Sequence, residues 1–133
     1  MVSGKFRSVS SARVQNIVLE QSCSLVAANA CGGLGGVIGS LTADGVGVTV
    51  TLSNCVNRGV LSITGYTTYL AGIVASAACK STGTTSADLA HVVFEDCVNY
   101  ASLSANKTNP TFGPLVCTVS SDQKNYGDFT FTR

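Results

Sequence analysis

Charge is what this sequence has least of: Asp, Glu, Lys and Arg make up 11% of its 133 residues, against roughly 25% in an average soluble domain. A net charge of +1 with no basic cluster excludes a nucleic-acid partner, because binding phosphates takes many Lys or Arg contacts on one face. There is one histidine, His91, and no two cysteines have the close spacing that brings two thiolates to one zinc, so no metal site is expected. The middle of the chain is poorest of all, since residues 21–79 hold only Asp44 and Arg58. The uncharged run from Glu20 to Asp44 has the length of a membrane span, but its glycines, alanines, serines and Asn29 are the residues of tight turns, and no span is expected. Residues 1–20 also lack a continuous apolar core followed by a small-residue cleavage site. A secreted chain is therefore expected to carry its signal outside these residues.

What is present is a 45% hydrophobic share, 16 serines and 14 threonines. With so little charge, hydroxyls must wet the surface. The length suits one compact domain and is short for two. Six cysteines, Cys23, Cys31, Cys55, Cys79, Cys97 and Cys117, fit an oxidising compartment, which makes the location extracellular or at the cell surface. All six are disulfide candidates, with up to three bridges among 15 pairings.

The sequence repeats itself. Leu52-Ser-Asn-Cys55-Val-Asn57-Arg-Gly59-Val-Leu-Ser62 aligns with Phe94-Glu-Asp-Cys97-Val-Asn99-Tyr-Ala101-Ser-Leu-Ser104, and a weaker third copy is read through Gln21-Ser-Cys23-Ser-Leu-Val. A second pattern recurs as Gly36-Val-Ile-Gly39-Ser40, Gly72-Ile-Val-Ala75-Ser76 and Pro114-Leu-Val-Cys117-Thr118. Alternation marks strands, with Val46, Val48, Val50 and Leu52 on one face and Gly47, Thr49, Thr51 and Ser53 on the other. Asn57 and Gly59 tolerate left-handed backbone and predict a sharp corner. Corners at regular intervals close a coil. Stacked coils bring equivalent residues about 4.8 Å apart, which lets ladder cysteines bridge. The expected fold is an all-β parallel β-solenoid of about three imperfect coils in one domain, 1–133. Its repeats are read at 14–45, 46–88 and 89–125, with terminal strands at 4–9 and 128–133.

These residues resemble the GLUG-type repeats of surface and adhesin-like proteins, in which an alternating aliphatic strand is followed by Asn-Cys-x-Asn-x-Gly and Gly-Gly-aliphatic-x-Gly. The resemblance runs over residues 30–118 and is best at Cys31-Gly-Gly-Leu-Gly-Gly-Val-Ile-Gly-Ser40 and from Val46 to Ser62. It departs where Ala75 and Cys117 take the small position, Ala101 the turn glycine, and Pro114 enters. It implies a right-handed parallel β-helix used for display, adhesion or scaffolding outside the cell. An alternative stays open: Leu89, Val93, Cys97 and Tyr100 share a helical stripe that Ser86 could cap. A helix near 86–104 would give an α+β domain with a terminal hairpin over Leu115 to Thr132, and a small viral coat protein as the guess.

No chemistry stands out. Gly33-x-Gly35-x-x-x-Gly39 has the wrong final spacing for a dinucleotide fingerprint and reads as tight packing. Cys79-Lys-Ser-Thr-Gly-Thr-Thr lacks the glycines of a phosphate loop and reads as a solvated loop. Glu95 and Asp96, the adjacent acidic pair, point to opposite faces of a strand and cannot serve one substrate. No catalytic residue, cofactor or metal is expected, and the chain is not read as an enzyme. Asn106-Lys-Thr108 is a glycosylation sequon, and Tyr66, Tyr69 and Tyr100 are a possible stacking surface for glycans.

The ends carry the expectation of function. A solenoid exposes unpaired strand edges at both ends unless they are capped. No cap is evident, and Gly4 to Val9 and Asp128 to Arg133 both read as strands. Phe6, Val9, Phe129 and Phe131 are therefore the assembly candidates. The expected partner is a second copy, stacked head to tail into an extracellular filament or surface scaffold. Glycan binding by an adhesin module is the alternative, and ice binding through outward threonines ranks lowest.

Overall fold

Short parallel strands separated by sharp corners account for nearly all of the chain in the computed structural model, which describes residues 2–29, 31–83, 85–106, 111–121 and 127–133. The first turn holds β1 (Val2–Ser8), β2 (Ala12–Gln15), β3 (Val18–Leu19), β4 (Ser24–Ala27) and β5 (Cys31–Gly35). The second holds β6 (Ile38–Asp44), β7 (Thr49–Ser53), β8 (Val56–Asn57), β9 (Val60–Ile63) and β10 (Thr67–Ala71). The third holds β11 (Val74–Lys80), β12 (Ala90–Glu95), β13 (Val98–Asn99), β14 (Leu103–Ala105) and β15 (Thr111–Gly113), and β16 (Val116–Ser121) and β17 (Gly127–Thr132) begin a fourth. Each position in the turn builds one sheet, in the orders β1-β6-β11-β16, β17-β12-β7-β2, β13-β8-β3, β14-β9-β4 and β15-β10-β5. The protein is a parallel β-solenoid of three five-strand turns and part of a fourth.

Register explains why the repeats were readable. Val56 and Asn57 lie under Val98 and Asn99, and Ser40, Ser76 and Thr118 form one ladder. The third copy belongs elsewhere than expected, because Val18 lies under Val56 and the Val56 N–H bonds to Ile17 O at 2.8 Å. Ile17 therefore takes the cysteine position and Leu19 the asparagine position, while Cys23 falls beside Gly59. The turns run 2–35, 38–71 and 74–113, and the repeats read at 14–45, 46–88 and 89–125 each open at the second sheet. The terminal segments are rungs of the first and second sheets, β1 on β6 and β17 on β12.

Four other expectations are corrected. The left-handed residues of the corner are Asn16, Asn54 and Asp96, with φ of 59°, 51° and 50°, one position before the cysteine ladder; Asn and Asp are among the few non-glycine residues that adopt this conformation readily. The side chain of Asn54 donates to that of Asn16 at 2.8 Å, which couples two corners. Gly59 is needed for close approach, since a Cβ there would lie 2.8 Å from Cys23 O. Val46 leaves the alternating pattern and is exposed, because Gly45 and Gly47, at φ +147° and +64°, turn the chain before β7. The helix near 86–104 does not form: a 3-10 turn at Ser86–Asp88 leads into β12, whose Val92 and Phe94 are buried at period two. A lone helix would leave the edges of β7 and β17 unpaired, and β12 satisfies both. The terminal hairpin is also absent, because β16 and β17 belong to different sheets.

The interior divides into two apolar lobes. One gathers Ile38, Leu41, Val50, Leu52, Val74 and Phe94 from the first and second sheets, and the other Leu61, Ile63 and Leu70 from the fourth and fifth. Fully burying each such side chain is worth about 1.5–3 kcal/mol. Between the lobes, buried Asn57 donates Nδ2–H to Gly72 O at 2.9 Å and accepts the Gly59 N–H on Oδ1 at 3.0 Å. A Cβ on Gly36 would meet Asn57 Nδ2 at 2.7 Å, and one on Gly72 would meet Asn99 Cγ at 2.3 Å. The two glycines thus make room for a ladder of asparagines that pins the waist of the coil. Burial follows coverage. β11 and β12 lie under β16 and β17 and contribute Val74, Val92 and Phe94 to the core, whereas the uncovered β14 and β15 keep Leu103 and Phe112 accessible.

Candidate functional site

The side chains singled out for chemistry have structural roles. Gly33 and Gly35 face the corner between the fifth and first sheets, where an added Cβ would meet Ala75 Cβ at 2.7 Å and Ile38 O at 2.1 Å respectively, so they serve packing. The stretch after Cys79 is more ordered than a solvated loop. Cys79 and Lys80 belong to β11, Ser81 is buried with its hydroxyl donating to Asp88 O, and the Asp88 carboxylate accepts from Thr85 Oγ1 at 2.8 Å. Glu95 pairs with Arg13 at 3.2 Å across two turns, while Asp96 occupies the left-handed corner beyond β12. The two carboxylates do not share a site. Tyr66 precedes β10, Tyr69 lies within it, and Tyr100 follows β13 on another side of the coil, so the three tyrosines do not form one platform. Asn106 is exposed at the end of β14, with its N–H bonded to Ile63 O at 2.9 Å; Lys107 and Thr108 of its sequon lie outside the described residues.

One outer face does gather polar groups. On the first sheet a shallow depression of about 330 Å³ is lined by Phe6, Arg7, Ser40, Thr42, Asp44 and Lys80. Arg7 Nε meets Asp44 Oδ2 at 2.6 Å with the arginine largely exposed, a pair worth up to about 1 kcal/mol. Sequence reasoning did not find it, because Arg7, Asp44 and Lys80 lie in three different turns and meet only once the register is known.

The ends are where the solenoid is incomplete. Phe6 is half-buried and packs with Phe129 against the main core, and Val9 projects beyond β1 with 71% of its surface exposed. Phe131 stacks on Phe94 with ring centroids 4.9 Å apart. Phe131 closes the ladder Val14–Leu52–Phe94–Phe131 and is 53% exposed, although Phe94 beneath it is 1% exposed. Val119 and Phe112 end the ladders through Ala77 and Leu70 in the same way, at 47% and 45% exposure. These two were missed as end residues; reading the Gly-aliphatic-small-hydroxyl pattern forward would have placed Val119 over Leu41 and Ala77. Among the described residues, the C-terminal end is an open apolar layer beside unpaired strand edges.

The described cysteines, Cys23, Cys55, Cys79, Cys97 and Cys117, are thiols; the Cys31 side chain lies outside the described residues. Cys55 and Cys97 are ladder neighbours on adjacent turns, joined through Val98 N–H to Cys55 O at 2.9 Å. The neighbouring Cys97 thiol holds Cys55 down to about 7, and Cys55 together with burial pushes Cys97 well up, so the pair gives up its two protons in separate steps. Burial also pushes Cys117 up. Among the described residues no group of three potential ligands could hold a metal ion, and no helix is long and apolar enough to cross a membrane.

Comparison with known proteins finds no matching family model, no matching curated protein and no matching solved structure.

Proposed function

We propose that this chain is a non-enzymatic structural subunit that assembles head to tail into an extracellular filament or surface scaffold. The observation that carries the reading is the open C-terminal layer, where Phe112, Val119 and Phe131 continue buried ladders into solvent. A second copy stacked without rotation sets its β1 on β16 and its β2 on β17, so that Phe6 follows Val119 and Val14 follows Phe131 along ladders already in use. Covering the remaining half of Val119 and Phe131 contributes about 1 kcal/mol apiece, and the new strand pairs satisfy backbone groups along the free edges of β16 and β17. The contact is heterologous and does not close on itself, which favours open chains of subunits over rings. The resemblance to GLUG-type surface repeats supports the extracellular setting. Sedimentation velocity and electron microscopy across a concentration series test the reading, with growing end-to-end oligomers expected for the natural chain and monomers for Val119→Asp or Phe131→Asp. Monomers of the natural chain at millimolar concentration overturn it.

A glycan-binding adhesin is the second reading, favoured by the hydroxyls and charges of the depression on the first sheet. Hydroxyl-rich ligands are recognised by a few convergent polar groups, and Arg7, Asp44, Ser40 and Thr42 supply donors and acceptors there. A glycan array on the natural chain and on Arg7→Ala tests it. The coat-protein alternative rested on the helix near 86–104 and loses that support.

A further inference from the structure

We propose that Cys55 and Cys97 form a two-electron redox site, which a small-molecule disulfide entering at the open end of the solenoid oxidises to an intrachain bridge tying the second turn to the third. The register singles out this pair. Cys23 has Gly59 as its ladder neighbour, Cys31 has Thr67, Cys79 lies between Ala43 and Ser121, and Cys117 lies over Ala75. Only Cys55 and Cys97 stand one rung apart, where equivalent Cα atoms are about 4.8 Å from each other, inside the range of about 4.4–6.8 Å that a disulfide spans. Bridging therefore needs rotation about side-chain bonds and no movement of the backbone.

Access differs between the two. Cys55 is fully buried in the main core cluster. Cys97 is partly exposed, because the third sheet ends at β13 and no described strand covers it. Each sulfur also rests on backbone carbonyls, Cys97 on Leu52 O at 3.5 Å and Glu95 O at 3.4 Å, and Cys55 on Ser53 O at 3.6 Å. These contacts hold the thiols in the corner. Around neutral pH the pair begins to give up its first proton, which supplies the thiolate that exchange requires.

The chemistry balances with an oxidant of the glutathione-disulfide class. The pair's first proton leaves from Cys55, and the accessible Cys97 sulfur attacks one sulfur of the oxidant as its own proton passes to the Cys55 thiolate. The oxidant's S–S bond breaks, one thiolate leaves and takes up the proton given off by the pair, and a mixed disulfide remains on Cys97. Cys55 then loses its proton and attacks the Cys97 sulfur, expelling the second small thiolate, which takes up that proton. In sum two cysteine thiols and one small disulfide become one protein disulfide and two small thiols, with two electrons and two protons passed to the oxidant. A surface disulfide in a secreted protein forms by this same exchange.

The test uses the full chain, reduced and then freed of reductant, at a dilution where sedimentation gives the monomer, so that a failure of end-to-end assembly is read separately. Titration with oxidised glutathione, acid quenching, alkylation and a non-reducing peptide map are expected to show two thiols lost per chain and one cross-linked peptide pair joining the segments of Cys55 and Cys97. Protease half-life of the native protein is expected to lengthen at least tenfold. Cys55→Ser is expected to stop at the mixed disulfide on Cys97, and Cys97→Ser to leave Cys55 unmodified. If the variants do not fold, the map of the natural chain still decides. Six alkylatable thiols at saturating oxidant, or a bridge between any other pair, overturns the proposal.

Discussion

Replacing Asn57 with alanine removes the one side chain that bonds across the waist of the second turn, and the cost follows from what is left behind. Asn57 is fully buried; without it the Gly72 carbonyl and the Gly59 N–H, at 2.9 and 3.0 Å in the native coil, lose their side-chain partners where water does not reach. Each buried orphan costs about 1–3 kcal/mol, so Asn57→Ala is expected to destabilise the chain by about 2–6 kcal/mol. With a urea dependence of about 2 kcal/mol per molar, the midpoint falls by about 1–3 M at unchanged slope. Asn57→Leu sharpens the test, because leucine is what the first turn carries at this rung, as Leu19. It fills the space and restores neither bond, and is expected to fall within the same range. Asn99 accepts the Ala101 N–H at 3.2 Å in a partly buried setting, and Asn99→Ala is expected to cost about 1 kcal/mol. A midpoint shift under about 0.5 M for Asn57→Ala, or full stability in Asn57→Leu, would refute the view that hydrogen bonds and not volume hold the waist.

Two further outcomes follow from the ladders and the thiol pair. Phe94→Ala empties a covered rung and is expected to cost about 3–5 kcal/mol, whereas Phe131→Ala gives up a half-exposed ring and one stacking contact, about 1–2 kcal/mol; paired thermal melts of dilute protein read the difference, and equal costs would contradict the graded burial. The reduced pair also gives stability a signed pH dependence. Cys55 is depressed to about 7 from 9.0, so its contribution appears as pH rises from 7 to 9 and is lost as pH falls through 7; Cys97 is raised, so its contribution is present below 9 and lost above it. Stability of the reduced chain relative to Cys55→Ser/Cys97→Ser is expected to rise from pH 7, peak near 9 and fall beyond, as read by urea midpoints under reductant.

Much of this architecture was legible because a solenoid writes its contacts as repetition. Where two turns have equal length and matching corners, as at Cys55-Val-Asn57 and Cys97-Val-Asn99, similar letters became vertical neighbours. The first turn hid its copy because it uses different side chains at the same rungs, Ile17 for cysteine and Leu19 for asparagine, and interior positions accept any apolar residue of suitable size. Cys23 attracted the alignment by identity alone. The left-handed corner was assigned to Asn57 and Gly59 on their tolerance for such backbone, yet Asn54 and Asp96 adopt it, since the choice among neighbouring turn formers depends on which side chain the coil must point inward. The helical stripe over 86–104 was real as a pattern and lost to pairing on both edges of β12. The depression around Arg7 and Asp44 could not be read at all, because its members are 37 residues apart and share no motif.

Graded burial then connects fold to function. Among the largest fully buried side chains none comes from the first turn, and those of the third turn, Val74, Val92 and Phe94 with Ile73 at the corner, stand where β16 and β17 cover them. A rung is thus stable in proportion to its neighbours above and below, as expected of a chain whose turns contact only adjacent turns. Each added layer finishes the burial of the layer beneath and leaves its own surface unfinished. The coil therefore ends with Phe112, Val119 and Phe131 half-exposed above buried neighbours of the same ladders, the rungs on which the proposed end-to-end contact draws.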